Sequence, residues 1–425
     1  YGTDLSCDVL KCGHHGSRTS TTEELEAAFP DINFSRYGQF REVTQGEKAM
    51  QLIAGLDQVS PDSGETIRAA REAYDALSDE EKQEVNNYQT LLDAEEAFAK
   101  LTQSVDISYN EAMNNTLIKL SKSSLWGGYE WRILAMARGG LISGTDTSGK
   151  GPQALNFVTG LMGSYRADDG KPTDFARTSL AMTSLGAEVP QDILDLLCAY
   201  DKVTAQGINA VAYSLIALDS KPYITDNTDI RDKYIQYMLD NVLNGGGWAY
   251  GDDKTADADV DMTAMVIQAL APYYKTDAKV KAAVDKGLEI LKSMQKSTGG
   301  FSSYGTYNAE SNAQVIVALT ALGIDPKSEE WTRENGDPIE ALLHFYNSKT
   351  AQFCHTINGK DDDMATDQAA YALVAYSRFV NEQNTLYDMS DAFGGSGEAL
   401  DPQQTVATAK MEVNYKFWRI KVPST

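Results

Sequence analysis

Five apolar, alanine-rich segments recur between residues 174 and 377, and they constrain the fold more than any other feature of this sequence. They align on five equivalent positions separated by 33, 52, 52 and 54 residues. Those positions are Leu185, Leu218, Leu270, Leu322 and Tyr376. Such spacing is typical of helical hairpin repeats. Each segment is apolar on nearly all sides, as expected for a helix surrounded by other helices. With a degenerate copy at EWRILAMARGG, the sequence predicts six inner helices.

More amphipathic segments lie between the repeats and predict a second, outer set of helices. Residues 230–243 and 280–294 carry Asp and Lys on one face, and residues 109–120 supply a candidate closing helix. Two glycine-containing loops, GGGWAY at 245–250 and QKSTGGF at 295–301, each join an outer helix to the next inner one. Six inner and about six outer helices predict an all-α fold, an α/α toroid over residues 105–392.

The repeats and these loops resemble the prenyltransferase and squalene-cyclase repeat superfamily. Gln295 followed by Gly299-Gly300-Phe301 is a partial form of the glutamine-tryptophan repeat of the cyclases. The superfamily includes terpene cyclases, protein prenyltransferase β subunits, complement-type thioester domains and corrinoid carriers. The resemblance implies a toroid whose function lies in a funnel lined by the N-terminal ends of the inner helices.

The remaining parts of the chain predict smaller units. Residues 43–104 show helical periodicity with a capping box at Ser78–Glu81, so we expect three helices, similar to the spacer modules of Gram-positive cell-surface proteins. Within the fragment 1–42, the stretch DVLKCGHHGSRTSTTEELEAAFPDINFS resembles the end of a competence-type metallo-β-lactamase domain. His14 and His15 of its Gly-His-His-Gly turn are weak metal-ligand candidates. Residues 393–425 predict a flexible linker and a single strand, the start of a further β domain or an edge strand.

The composition excludes some classes of partner. A net charge of −24 and an isoelectric point near 4.5 oppose binding to nucleic acid or anionic lipid. No apolar run approaches the roughly 18 residues of a membrane-spanning helix. We therefore expect a small molecule or a cell-surface component as partner. The resemblance of residues 43–104 to cell-surface spacers implies a secreted or wall-attached protein whose signal peptide is not part of this chain. The sequence leaves the cofactor and the oligomeric state open.

Carboxylates and aromatic side chains gather at the predicted mouth of the funnel. One position, nine residues before each aligned residue, holds Asn209, Asp261 and Asp367 in three of the five copies. Helix capping alone explains an aspartate at such a position. The candidate ligand-binding residues are Asn209, Trp248, Tyr250, Asp259, Asp261, Phe301, Glu310 and Asp367. The run of Asp361, Asp362 and Asp363 is a weak candidate for calcium, which prefers oxygen ligands.

The sequence allows two enzymatic hypotheses and one non-catalytic hypothesis for the toroid. Asp259-Val260-Asp261-Met262-Thr263-Ala264 resembles the cyclase motif whose middle aspartate protonates an alkene, a role that would fall on Asp261; Met262 replaces the third aspartate. Asp261 with Asp367 is the alternative, a carboxylate pair of a glycosidase or lyase. The zinc ligands of prenyl transfer and the thioester motif are absent from the sequence. The sequence favours a toroid that binds a ligand or acts as a scaffold without catalysis.

Overall fold

We describe the protein from a computed structural model, in which residues 44–56, 59–60, 63–102, 106–125, 129–167 and 169–392 are described. The chain divides into two compact units, Tyr1–Lys100 and Leu101–Thr425. The elements predicted for residues 1–42 and 393–425, with His14 and His15, lie outside the described residues.

The first unit contains four described helices where the periodicity predicts three. They are α1 (Gln45–Ala54), α2 (Gly64–Asp75), α3 (Asp79–Glu84) and α4 (Tyr88–Thr102). The predicted capping box is present, since Ser78 and Glu81 cap each other's backbone amides at the start of α3. The predicted third helix breaks at Val85, which is extended and buried. The Asn87 side chain then donates to the Met50 carbonyl at 2.9 Å, so the break satisfies an α1 backbone group.

The second unit is built of thirteen described helices. Their bounds are α5 (Tyr109–Lys122), α6 (Glu130–Arg138), α7 (Lys150–Ala167), α8 (Pro172–Ser184), α9 (Gln191–Leu197), α10 (Tyr200–Ala205), α11 (Ile208–Asp219), α12 (Ile230–Asp240), α13 (Val260–Leu270), α14 (Ala278–Met294), α15 (Ala309–Ala321), α16 (Pro338–Leu343) and α17 (Asp363–Val380). Two short antiparallel hairpins precede α15 and α17: β1 (Ser302–Ser303) with β2 (Thr306–Tyr307) comes before α15, and β3 (Tyr346–Asn347) with β4 (Gln352–Phe353) comes before α17.

Six of these helices form a closed inner ring. Helices α6, α8, α11, α13, α15 and α17 each pack against the next, and α17 packs back against α6. Helices α5, α7, α9 with α10, α12, α14 and α16 pack outside the ring. The all-α toroid of about six hairpins, predicted from the repeat, is confirmed, and the ring is not an open superhelix.

The burial pattern explains which helices become inner ones. In α15, eleven of the thirteen residues are buried, including the consecutive run Val315 to Thr320, because other helices surround it. In α14 only one stripe is buried, at Val280, Val284, Gly287, Leu288 and Leu291. That 3.6-residue stripe is typical of a helix with one face in water.

Buried ion pairs join the first inner helix to the last, and we call this α6–α17 contact the seam. Arg132 Nε of α6 lies 2.8 Å from Asp367 Oδ1 of α17, and both side chains are almost fully buried. Arg132 Nη2 also lies 3.1 Å from Asp363 Oδ1. At the other end of the seam, Arg138 and Arg378 share the carboxylate of Asp391.

The seam predicts an unequal effect of two arginine substitutions. Arg132→Met leaves Asp367 buried without its cation, so we expect a loss of about 3 to 5 kcal/mol in the free energy of unfolding. Arg166→Met removes a solvent-exposed pair with Asp192 and serves as the control, with an expected loss below about 1 kcal/mol. Urea unfolding followed by circular dichroism measures both; equal losses would contradict a seam held by Arg132.

Candidate functional site

The mouth of the ring consists of the N-terminal ends of the inner helices and the loops before them. At the start of α13, Asp259 accepts from the Met262 amide at 2.9 Å and from the Ser303 hydroxyl at 2.7 Å. Asp259 is therefore the helix cap, and Asp261 lies in the first turn. Capping explains the nearby Asp259 rather than Asp261, which occupies the repeated position.

Asp261 is mostly buried and has an unsatisfied carboxylate oxygen. Its Oδ1 has no hydrogen-bond partner within the described part of the chain. Burial raises the pKa of Asp261 to about 6; the charges of Asp259 and Glu310 add to the rise, and the hydroxyls of Ser311 and Ser303 oppose it. The carboxyl group therefore takes up a proton more readily than a solvated aspartate.

The other predicted carboxylates at the mouth have protein partners. Asp367 forms the seam ion pair; burial raises its pKa, and Arg132 opposes that rise. Glu310 lies 2.9 Å from His355 Nδ1, and burial raises the pKa of Glu310 while His355 lowers it. Of the predicted catalytic pair, Asp367 thus belongs to a buried ion pair, and Asp261 has no partner for Oδ1 among the described residues.

The aspartate run before α17 is spread over separate contacts. Asp361 accepts from the Asn347 amide at 2.8 Å, Asp362 caps α17 through the Ala365 amide, and Asp363 belongs to the seam. Among the described residues no group of three or more His, Cys, Asp or Glu is placed to hold a metal ion.

The predicted aromatic candidates divide between core and surface. Trp248 and Phe301 are fully buried, and the Trp248 indole donates to the Met238 carbonyl at 2.8 Å. Tyr250 is 54% exposed at the mouth, where burial and Asp259 raise its pKa. Asn209 lies in the first turn of α11, and its Oδ1 is buried with no partner in the described part of the molecule.

An aromatic cluster fills the interior of the ring, and sequence reasoning missed it. The Trp131 ring of α6 lies 5.2 Å from that of Tyr213 in α11 and 5.7 Å from that of Tyr371 in α17, centroid to centroid. Because α6 and α11 are not neighbours in the ring, the Trp131–Tyr213 contact spans the interior. Tyr213 and Tyr371 occupy the same position of the repeat, five residues before the aligned Leu218 and Tyr376, and this shared aromatic position could have signalled the convergence.

A chain of side-chain amides crosses three inner helices beside that cluster. Gln268 donates to the Gln314 side chain at 2.9 Å, and Gln314 donates to Gln368 at 2.9 Å and to the Tyr371 hydroxyl at 2.6 Å. Gln268 Oε1 remains without a partner among the described residues. Gln268, Gln314 and Tyr371 are buried and Gln368 is half-buried, so these hydrogen bonds favour one alignment of the three helices.

The segment after α17, residues 384–391, closes the far end of the ring; we call it the plug. Arg138 donates to the carbonyls of Thr385, Leu386 and Asp388 at 2.8 to 2.9 Å. Tyr387 of the plug is buried and lies near Tyr213. Burial is the main cause that raises the pKa of Tyr387, and the charge of Tyr213 raises it further. The interior is thus filled from within and covered at the end opposite the mouth.

An open groove lies beside the mouth rather than inside the ring. It has a volume of about 610 Å³ and runs between α10, the start of α11, the end of α12 and the loop at Tyr250. Its walls include Asp201, Asn241, Tyr237 and Asp252. Of the residues predicted to bind a ligand, Tyr250 lines it.

The fold and the mouth define an all-α toroid built of helical hairpins. The family model for the squalene-hopene cyclase C-terminal domain matches residues 221–356, which include inner helices α13 and α15 and both loops before them. The match supports the prenyltransferase and squalene-cyclase-like superfamily, as the glycine loops predicted.

No curated protein matches the chain. The structure contains, among its described helices, none that is both long and apolar enough to cross a membrane.

The raised pKa of Asp261 predicts how stability depends on pH. Since the folded-state pKa of about 6 lies above the ordinary value of 3.8, the folded protein binds more protons between these values, and its stability falls as pH rises through that window. Asp261→Asn removes the cost of ionising a buried carboxyl group. We therefore expect the free energy of unfolding to rise by up to about 3 kcal/mol above pH 6 and to stay unchanged below pH 4. Asp257→Asn, at an exposed position, is the control. Urea titrations at both pH values test this; a destabilised Asp261→Asn protein at neutral pH would contradict it.

Proposed function

We propose that the toroid is a non-catalytic unit that binds a ligand or acts as a scaffold in a bacterial protein outside the cell. The ion pair between Asp367 and Arg132 carries this proposal, because it ties the second predicted catalytic carboxylate to the closure of the ring. The extracellular location rests on the resemblance of residues 43–104 to cell-surface spacers and on the acidic composition.

The contacts at the mouth disfavour a glycosidase or lyase. Such an enzyme needs one carboxyl group as acid and a second, ionised carboxylate free to act on water or the sugar. Asp261 has the raised pKa of an acid, but Asp367 is engaged by Arg132, Asp259 by the α13 amides, and Glu310 by His355. No second carboxylate in this set is free to react.

The same residues disfavour an alkene-protonating cyclase. Protonation of a carbon-carbon double bond requires an unusually strong acid, whereas burial makes Asp261 a weaker acid than a solvated aspartate. Met262, at the position of the third aspartate in the cyclase motif, is buried in the core. The interior that would hold an apolar substrate is occupied by Trp131, Tyr213 and Tyr371.

A binding unit fits the surface that remains open. The groove beside the mouth has a volume in the range of small-molecule sites, roughly 300 to 1,000 Å³. It lies on a rigid frame, since α11 and α12 belong to the closed toroid. Ligand binding there needs no rearrangement of the interior.

Recovery of a bound molecule tests the proposal. The purified chain is incubated with a small-molecule extract of a bacterial culture, desalted, and studied by native mass spectrometry. We expect a retained molecule that is released on denaturation with unchanged mass, both from the natural protein and from Asp261→Asn. A molecule that the natural protein converts to a new mass, and that Asp261→Asn leaves intact, would establish catalysis instead.

A further inference from the structure

Some polar side chains of the groove beside the mouth form hydrogen bonds within the protein, and others do not. Gln206 exchanges hydrogen bonds with Thr173 through both ends of its amide, at 3.2 Å and 2.7 Å. The Asn241 amide donates to the Tyr237 carbonyl at 2.8 Å, and the Thr204 hydroxyl donates to the Tyr200 carbonyl at 2.8 Å. The amide and hydroxyl donors of these three groove side chains are therefore engaged within the protein.

The two carboxylates of the groove are in the opposite condition. Asp201 and Asp252 are exposed, and no ion pair or side-chain hydrogen bond holds either carboxylate in the part of the chain that the structure describes. Nearby lysines point elsewhere: Lys202 lies 3.7 Å from Asp169, and Lys254 donates to the Asp240 carbonyl. A ligand in this groove meets two carboxylates, which only accept hydrogen bonds, beside the hydroxyls of Tyr237 and Tyr250, so a ligand that supplies donors is favoured.

Two tyrosines of the groove also favour a cationic ligand. Burial raises the pKa of Tyr237, and the Asp252 charge adds to that rise, which places this carboxylate close to the phenol. Tyr250 is 54% exposed on the same groove. Aromatic faces attract cations, so these rings and the carboxylates favour the same kind of ligand.

We propose that this groove is a binding site for an organic cation, an alkylammonium group on an apolar stem. The ammonium group supplies three donors and no acceptor, which matches the free carboxylates of Asp201 and Asp252. The stem lies against Tyr237, Tyr250 and Ile208, the apolar part of the groove. The inference deepens the proposed binding function and rests on it; it needs neither Asp261 nor the ring interior.

A matched pair of probes tests the charge requirement. 2-Phenylethylamine and 2-phenylethanol share one body and differ in a charged ammonium group against a neutral hydroxyl. Isothermal titration calorimetry on the full chain is expected to give a dissociation constant at least about tenfold lower for the amine. A higher salt concentration should weaken binding of the amine and leave binding of the alcohol unchanged, because salt screens charges in a groove that is open to solvent. Equal affinities for the two probes would overturn the proposal.

Variants then assign the site. Asp252→Asn should weaken amine binding about fivefold and the double variant with Asp201→Asn more than that, whereas Asp257→Asn removes the same charge at an exposed position outside the groove and should change nothing. Melting temperatures within a degree or two of the natural protein show that the variants fold. Equal weakening by Asp252→Asn and Asp257→Asn would overturn the site as assigned.

Two further outcomes separate this inference from the proposed function. N-acetyl-lysine methylamide presents the ammonium group of a protein side chain; tighter binding than the free amine assigns the groove to a protein partner, and weaker binding assigns it to a small amine. If neither cation binds at millimolar concentration, the cation site is wrong. A molecule recovered unchanged by native mass spectrometry would still uphold the binding function in that case.

Discussion

The contact between α6 and α17 makes this molecule a ring, and the rest of the toroid depends on it. Arg132 and Asp367 of these two helices are 235 residues apart in sequence, so no local propensity brings the helices together. Charged groups carry the contact at both ends, with Arg132 on Asp367 and with Arg138 and Arg378 on Asp391. A buried charge tolerates only a partner in good geometry, so these pairs also fix how the two helices align.

Closure of the ring determines what its interior can do. Once α6 faces α17, Trp131 meets Tyr213 and Tyr371, and the space that a wider funnel would leave for a ligand is filled by protein. The plug covers the opposite end through Arg138 and Tyr387. In this toroid aromatic side chains of three inner helices therefore meet inside the ring, and the plug contacts the end opposite the mouth.

The sequence predicted the inner helices well because each is apolar on nearly all sides, a pattern that few other environments select. It predicted the seam poorly for the same reason: the copy at α6 looked degenerate because Glu130, Arg132 and Arg138 interrupt its apolar run. In the structure these three are buried, with Glu130 3.0 Å from Arg177 of α8. Asp367 looked like a free carboxylate, since a single sequence does not reveal a partner so distant along the chain.

The difference between buried and exposed carboxylates explains why the unpaired ones lie at the rim of the ring, in the groove beside the mouth. In the interior a charge needs a neighbour of opposite charge, as Asp367 has in Arg132. Asp261 Oδ1 has no partner among the described residues, and burial raises the pKa of this carboxyl group. At the rim, water solvates an unpaired carboxylate at little cost, and Asp201 and Asp252 have no cationic partner in the part of the chain that the structure describes. The cation site that we propose lies in this exposed groove, where binding would exchange solvent for ligand and leave the ring intact.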